Sequence, residues 1–396
     1  MKCLVCSNSI SPFIDFGKQP IANGFLSPNQ FKDEYFFDMK IAFCTKCFMV
    51  QLTEQPDRSK MFHNNYAFYS STSRYMVNHF EQFANDVIEK YRLTRDSYVI
   101  EIGSNDGIML KHFANKSIGH LGVEPSANVA EVAENQGINI VIGFFDENLK
   151  IYRKADVILA ANVMAHISNI NSVIREIKNL LKLNGILIFE DPYLGDILSK
   201  ISYDQIYDEH AFFFSLTSIS ELFNQHGMEV VDVQPQEVHG GSMRYTVANK
   251  GHHAISASVD RLLEKEQWLG LSMTHPYKSF KESVEESAKN LKDILISIKS
   301  KGENIVGYAA TAKSATITNY CGIGPDLIDY ICDTTPIKQG KFSPGAHIPV
   351  KPYQEFLNNP PTHALLFAWN HAEEIMEKEK NYKGKWIMYV PEIKIL

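Results

Sequence analysis

From residue 97 onward, short apolar runs alternate with turns and with stretches of helical periodicity. Val99, Ile100 and Ile102 make residues 97–102 a strand, and Gly103-Ser104-Asn105-Asp106-Gly107 turns the chain into a helix starting near Ile108. Apolar runs recur at 121–125, 138–142, 155–160 and 185–190, with helical spacing between them, as in 171–183. Strands alternating with helices predict an α/β fold with a doubly wound, mostly parallel sheet. Residues 253–301, rich in Glu, Lys and Leu, read as an amphipathic helical linker. A second α/β unit follows, with strands at 304–308, 327–332, 364–368 and 385–390. Ahead of both units, residues 51–90 read as a helical connector containing Tyr66-Ala67-Phe68-Tyr69-Ser70-Ser71-Thr72-Ser73. That segment is either a loop with an aromatic anchor or an arm folded over a site.

A chain of 396 residues exceeds one hydrophobic core and predicts two or three domains. A net charge of -7 argues against a general nucleic-acid or membrane-surface binder, while leaving room for a local basic pocket. No apolar stretch approaches the length of a membrane span. Met1-Lys2-Cys3 runs straight into a cysteine motif without a signal-peptide core, so a cytoplasmic location is expected.

Cys3, Cys6, Cys44 and Cys47 form two C-x-x-C knuckles. Each can present two thiolates to one ion, and the pair predicts a tetrahedral, structural Zn2+ site rather than disulfides. Cys321 and Cys332 lie far from them and read as buried or pocket-lining.

The turn at Gly103 and Gly107 allows close approach of a ligand to the backbone. Glu124 follows about twenty residues later at a strand end, where a ribose diol is commonly held. The spacing is not G-x-G-x-x-G, and Asp106 in the turn would repel a pyrophosphate but suit a cationic sulfonium. Glu101, Gly103, Asn105, Asp106, Gly107, Glu124, Pro125, Phe144 and Phe145 therefore favour S-adenosylmethionine (SAM) over a dinucleotide. Downstream, Tyr207-Asp208-Glu209-His210 places a phenol, two carboxylates and an imidazole ahead of Phe212, Phe213 and Phe214. A histidine beside carboxylates suits proton transfer near neutrality.

Taken together, the chain resembles the nucleotide-sugar C-methyltransferase family over essentially its whole length. The resemblance rests on the cysteine knuckles, Glu101–Gly107, Gly122-Val123-Glu124-Pro125, Asn162-Val163-Met164-Ala165-His166-Ile167 and Tyr207-Asp208-Glu209-His210. It continues in His239-Gly240-Gly241-Ser242-Met243-Arg244 and Gly307-Tyr308-Ala309-Ala310-Thr311-Ala312-Lys313. It implies a zinc-binding domain over 1–65, a SAM-dependent methyltransferase domain over 66–250, and a Rossmann-like domain over 251–396 that binds the nucleotide sugar.

The implied reaction is methyl transfer to C-3 of a nucleotide-linked 4-keto-6-deoxy sugar. dTDP is the family's usual handle, with GDP and CDP left open. The chain would act as a monomer, without nucleic acid or membrane. His210 is the implied base, with Glu209 orienting the imidazole or contacting the sugar and Tyr207 donating to a substrate oxygen. Asn162 and His166 would lie between cofactor and sugar, and Tyr66, with Tyr69 as competitor, would cover the site. His239 and Arg244 could reach sugar or phosphate oxygens. Lys313, at a helix N-terminus, and Lys338 and Lys341 in the following loop could meet phosphates, and Asp333 a ribose or base. Each has a structural rival: a salt bridge, a helix cap or a solvated loop. Three other readings compete: a methyltransferase for another acceptor, a non-catalytic zinc- and SAM-binding module, and an NAD-dependent dehydrogenase or epimerase.

Overall fold

In the computed structural model, which describes residues 1–62 and 69–396, the chain opens with an antiparallel sheet. Its strands are β1 (Pro12–Pro20), β2 (Phe36–Phe43) and β3 (Val50–Leu52). Ile14, Phe16, Phe37, Met39 and Ile41 alternate along β1 and β2 and are buried together. β3 occupies the start of the segment read as a helical connector. All three of its residues, Val50, Gln51 and Leu52, are buried, and so short a segment is as compatible with a strand as with a helix. The long helix of that segment is Arg74–Lys90.

The central sheet contains β4 (Tyr98–Ile102), β5 (Gly119–Glu124), β6 (Ile140–Ile142), β7 (Ala155–Ala161) and β8 (Leu181–Pro192). The chain then leaves it as β9 (Phe212–Phe213), which pairs antiparallel with β3 and completes the first sheet in the order β1-β2-β3-β9. Side-chain alternation here joins two cores: Phe212 and Phe214 enter the core of the central domain, and Phe213 enters that of the first sheet. β10 (Met228–Gln236) and β11 (Ser242–Asn249) rejoin the central sheet, ordered β10-β11-β8-β7-β4-β5-β6. Only β11 runs antiparallel to its neighbours. β5 and β6 lie on one side of β4 and β7 and β8 on the other, so a crevice opens at the carboxyl ends of β4 and β7. The helix expected over 171–183 stops at Leu180, because Leu181 already pairs with Ala155.

The C-terminal sheet is built from β12 (Ile305–Tyr308), β13 (Ile331–Asp333), β14 (Val350–Pro352), β15 (His363–Leu366), β16 (Lys385–Met388) and β17 (Lys394–Ile395). Its order is β14-β13-β12-β15-β16-β17, parallel except for β17. The strand order switches between β12 and β15, and helix Ala312–Tyr320 begins beside that point. No helix among the described residues is long and apolar enough to cross a membrane.

The stretch read as a linker is two packed helices, Ala257–Leu269 and His275–Ser300, separated at Gly270 with φ 70°. The second buries Tyr277, Phe280, Val284, Leu291 and Leu295 in a core shared with β1, β2 and the C-terminal sheet. The first serves the central domain. Its buried Glu266 accepts from the Leu216 amide at 2.6 Å, the Thr217 amide at 2.8 Å and the Thr217 hydroxyl at 2.6 Å, capping helix Leu216–Asn224. Glu266→Ala would leave these donors buried without an acceptor. Chemical denaturation should show a loss of about 2–3 kcal/mol, with SAM affinity in the folded protein unchanged. An unchanged midpoint would contradict the cap.

Candidate active site

The four N-terminal thiols converge. Cys3 and Cys47 lie 3.5 Å apart, as do Cys6 and Cys44, and all four sulfurs fall within 4.8 Å of one another. Thiolates about 2.3 Å from a tetrahedral Zn2+ need separations of this size. Ser7 and Phe48, each directly after the second cysteine of a knuckle, take φ of 57° and 60°, the tight turn that aims both thiols at one point. Four thiolates fill the coordination sphere, so the metal's part is structural. The second knuckle is itself the turn between β2 and β3.

The segment entering β9 brings Tyr207, Glu209 and His210 to the wall of a cavity of about 1250 Å³. The His210 Nδ1–H donates to the Gln205 carbonyl at 2.7 Å. A carbonyl only accepts, so the proton sits on Nδ1 and Nε2 carries the lone pair, which accepts from the Tyr207 hydroxyl at 3.0 Å. Burial pushes the His210 pKa down to about 4, with the Gln205 carbonyl opposing and the Lys313 charge reinforcing. The imidazole is therefore neutral at physiological pH. Burial holds the Tyr207 phenol well above its usual range, so it remains a donor.

Sequence reasoning missed what holds this turn. Glu209 Oε1 accepts from Asn23 at 2.7 Å, Asp208 accepts from the Ala22 amide at 2.9 Å, and the Ala211 carbonyl accepts from the Leu52 amide at 2.9 Å. The Gln55 amide lies 3.2 to 3.3 Å from the carbonyls of His166, Asp208 and Glu209. The imidazole is thus oriented by the Gln205 main chain, while Glu209 is engaged by the first domain. His166 stacks on His210 with ring centroids 5.2 Å apart, and burial keeps it neutral.

At the other end of the cavity, Gly103 ends β4 with φ 68°, and a Cβ there would run into the Val163 side chain. Glu124 is held by the amides of Asn105 at 3.0 Å and Ser126 at 2.8 Å. It shares the wall with Gly103, Asn105, Pro125, Phe144, Phe145 and Asn162. An oriented carboxylate for ribose hydroxyls, an aromatic surface for adenine and a side-chain-free approach fit SAM. Arg58, also unforeseen, lies 4.0 Å over the Phe144 ring and 2.8 Å from Asp146.

Asp106, expected to face a sulfonium, instead accepts from the Ser71 amide at 3.0 Å and hydroxyl at 2.6 Å, so it anchors the arm rather than lining the cavity. Glu101 is buried under the turn, where burial and the neighbouring acids raise its pKa well above the carboxylate range. Gly107, with φ 76°, shapes the turn against Ala133. Tyr69 lines the cavity, and its hydroxyl accepts from Asn128 at 2.8 Å. Tyr66 lies outside the described residues.

The C-terminal domain supplies the third wall, including Lys313, Asp333 and Lys338. The Asp333 oxygens accept from the Ala310 and Thr335 amides, each at 2.7 Å, so they already brace the turn. Lys338 donates to the Ala310 carbonyl at 2.8 Å. Lys313 donates to Asn370 at 3.2 Å and to the His239 carbonyl at 3.4 Å, and His239 also lines the cavity. Two expected substrate contacts are absent from the cavity wall. Lys341 lies elsewhere, and Arg244 is buried in an ion pair with Glu190 at 2.9 Å, its guanidinium 3.5 Å over Phe83.

A glycine turn at the switch point of a doubly wound sheet, an oriented carboxylate and a buried imidazole on the same cavity fit a SAM-dependent methyltransferase. Three family models match in succession: "Putative zinc binding domain" over residues 3–62, "Methyltransferase domain" over 76–233 and "C-methyltransferase C-terminal domain" over 237–391. Together these matches span most of the chain and support a SAM-dependent C-methyltransferase. It is 29% identical over 406 residues to C-methyltransferase NovU of Streptomyces niveus, an alignment covering 100% of this chain and 96% of that protein. Among solved structures, a SAM-dependent methyltransferase from Clostridium acetobutylicum matches with TM-score 0.38 at 16% identity, covering 44% of this chain and 92% of its own. Magnesium protoporphyrin IX methyltransferase of Synechocystis, with bound SAH, matches with TM-score 0.36 at 13% identity, covering 44% and 85%.

The His210 assignment has a direct spectroscopic check. NMR titration should find the ring neutral, with its proton on Nδ1, through pH 6 and down toward pH about 4. A ring protonating near its ordinary 6.5 would contradict the geometry.

Proposed function

We propose that the chain methylates C-3 of a nucleoside-diphosphate 4-keto-6-deoxy sugar, dTDP-linked, in branched deoxysugar biosynthesis. The observation that carries this reading is the single cavity joining three functions. The cofactor turn, the neutral His210 and a C-terminal wall with two lysines all face the same space. That space exceeds the volume of an ordinary small-ligand site, as two substrates require. The similarity to NovU, a C-methyltransferase, supports carbon as the acceptor.

A carbon beside a ketone becomes nucleophilic only after losing a proton. In this reading His210 Nε2 takes the C-3 proton, the C–H electron pair becomes a C-3=C-4 bond, and the carbonyl π pair moves to the oxygen. SAM, when bound against Gly103, Glu124 and Phe144, supplies an electrophilic methyl group. Tyr207, released from Nε2 by the entering C–H, turns its hydroxyl to a substrate oxygen. His166 and the arm bearing Tyr69 exclude water from the carbanion. One copy of the chain provides all three walls, so we infer a monomeric enzyme, working in the cytoplasm where thiolates persist.

The test is solvent deuterium exchange with a panel of dTDP-, GDP- and CDP-linked 4-keto-6-deoxy sugars in the presence of S-adenosylhomocysteine. Deuterium should appear beside the ketone, and a carbon-bound methyl group should replace it when SAM is supplied. His210→Asn should reduce both by at least about a hundredfold while SAM binding persists. Tight SAM binding with no exchange and no methylation across the panel would overturn the keto-sugar reading.

A further inference from the structure

We propose that Lys313 is a catalytic residue of the deprotonation step, its ammonium stabilising the oxygen of the forming enolate. Its place at the start of helix Ala312–Tyr320 suggests a phosphate contact instead. The inference rests on the keto-sugar reading above and adds to it the group that receives the negative charge.

The side chain of Lys313 is turned toward the base. The His239 carbonyl accepts from both Lys313 Nζ, at 3.4 Å, and the Gln205 amide, at 2.8 Å. The carbonyl of the same Gln205 accepts from His210 Nδ1 at 2.7 Å. His239 and Gln205 therefore link the ammonium to the imidazole, and Lys313 and His210 both line the cavity. On its other side Lys313 is held by Asn370 at 3.2 Å and lies 4.8 Å over the Trp369 ring. The indole N–H of Trp369 donates at 2.6 Å, and the Tyr389 hydroxyl at 2.8 Å, to the fully buried Asp204; burial lowers the Lys313 pKa, and the Asp204 charge opposes that shift in favour of the ammonium form.

This arrangement would be counterproductive for a base acting alone. The Lys313 charge depresses the basicity of His210 and opposes an imidazolium. The penalty is offset only if an anion forms beside both groups at the same moment. Enolate formation provides it: the proton goes to Nε2 and the carbonyl π pair goes to O-4. A cation fixed in advance where that charge develops lowers the barrier more than it costs the base.

The diphosphate has a separate place. Thr311 caps the Ser314 amide at 3.2 Å, which leaves the Ala312 and Lys313 amides at the start of helix Ala312–Tyr320 without a helical acceptor, and Lys338 reaches the same turn through the Ala310 carbonyl. The main chain at Lys313 can thus face a phosphate while its ammonium serves the sugar.

The experiment compares wild type, Lys313→Met and Lys338→Met. The keto sugar's C-3 exchange is read with S-adenosylhomocysteine present, and dTDP affinity is read by calorimetry. Lys313→Met should slow exchange about a hundredfold or more, with the dTDP Kd within about threefold of wild type. Lys338→Met should raise the dTDP Kd about tenfold. Should Lys313→Met lose zinc or fail to fold, Lys313→Gln keeps the polar contacts and is judged by the same two readouts. Exchange at the wild-type rate, or dTDP affinity falling in step with exchange, would overturn the assignment. No exchange by the wild type on any keto sugar would remove the reading beneath it and the assignment together. Exchange by the wild type that survives in the variant would remove only the assignment.

Discussion

The turn that carries His210 is held by the N-terminal sheet, not by the central sheet that carries the glycine turn. β9 is two residues long, too short to keep a geometry on its own, and its neighbour is β3. β3 is the second arm of a hairpin whose turn carries Cys44 and Cys47. A structural zinc closing that turn fixes the hairpin, the hairpin receives β9, and β9 fixes the backbone that leads from His210. Around this pairing, the side chains of Asn23 and Gln55 and the amides of Ala22 and Leu52 close on the Asp208–Ala211 backbone and carboxylates. Metal binding of this kind contributes folding free energy directly. Its effect here reaches His210, more than 150 residues along the chain.

Burial supplies the second constraint. His166, His210 and His239 all line the cavity, and burial holds them neutral there. A neutral imidazole with its proton pinned on Nδ1 is ready to accept at Nε2 without losing a proton first. Acidic groups close to it, Asp208 above all, are pushed well up by burial and by one another. Burial thus favours the neutral form of Asp208 as well.

What could be read from sequence was local. The cysteine spacing, the glycine turn after an apolar strand and the alternation of strands and helices each depend on a few neighbouring residues, and each appears in the structure. Partner choice was not legible. Asp106 looked like a cofactor ligand until Ser71 was seen to hold it, and Arg244 looked like a substrate cation until Glu190 was seen beside it. β3 escapes the pattern because three residues, Val50-Gln51-Leu52, are too few to show a period. The two helices after residue 253 were read as a linker because their buried stripes show only against β10 and the C-terminal core. Gln55 had no signal, since a loop glutamine becomes informative only once the carbonyls around it are known.

The account stands or falls on the separation of cofactor binding from base positioning. The decisive measurement is made on one zinc-stripped sample: S-adenosylhomocysteine affinity by calorimetry, and exchange of the keto sugar's C-3 proton by mass spectrometry. The account predicts that the central domain keeps its affinity within about threefold while exchange falls by about a hundredfold or more. Exchange that survives zinc removal, or affinity and exchange lost together, would contradict it.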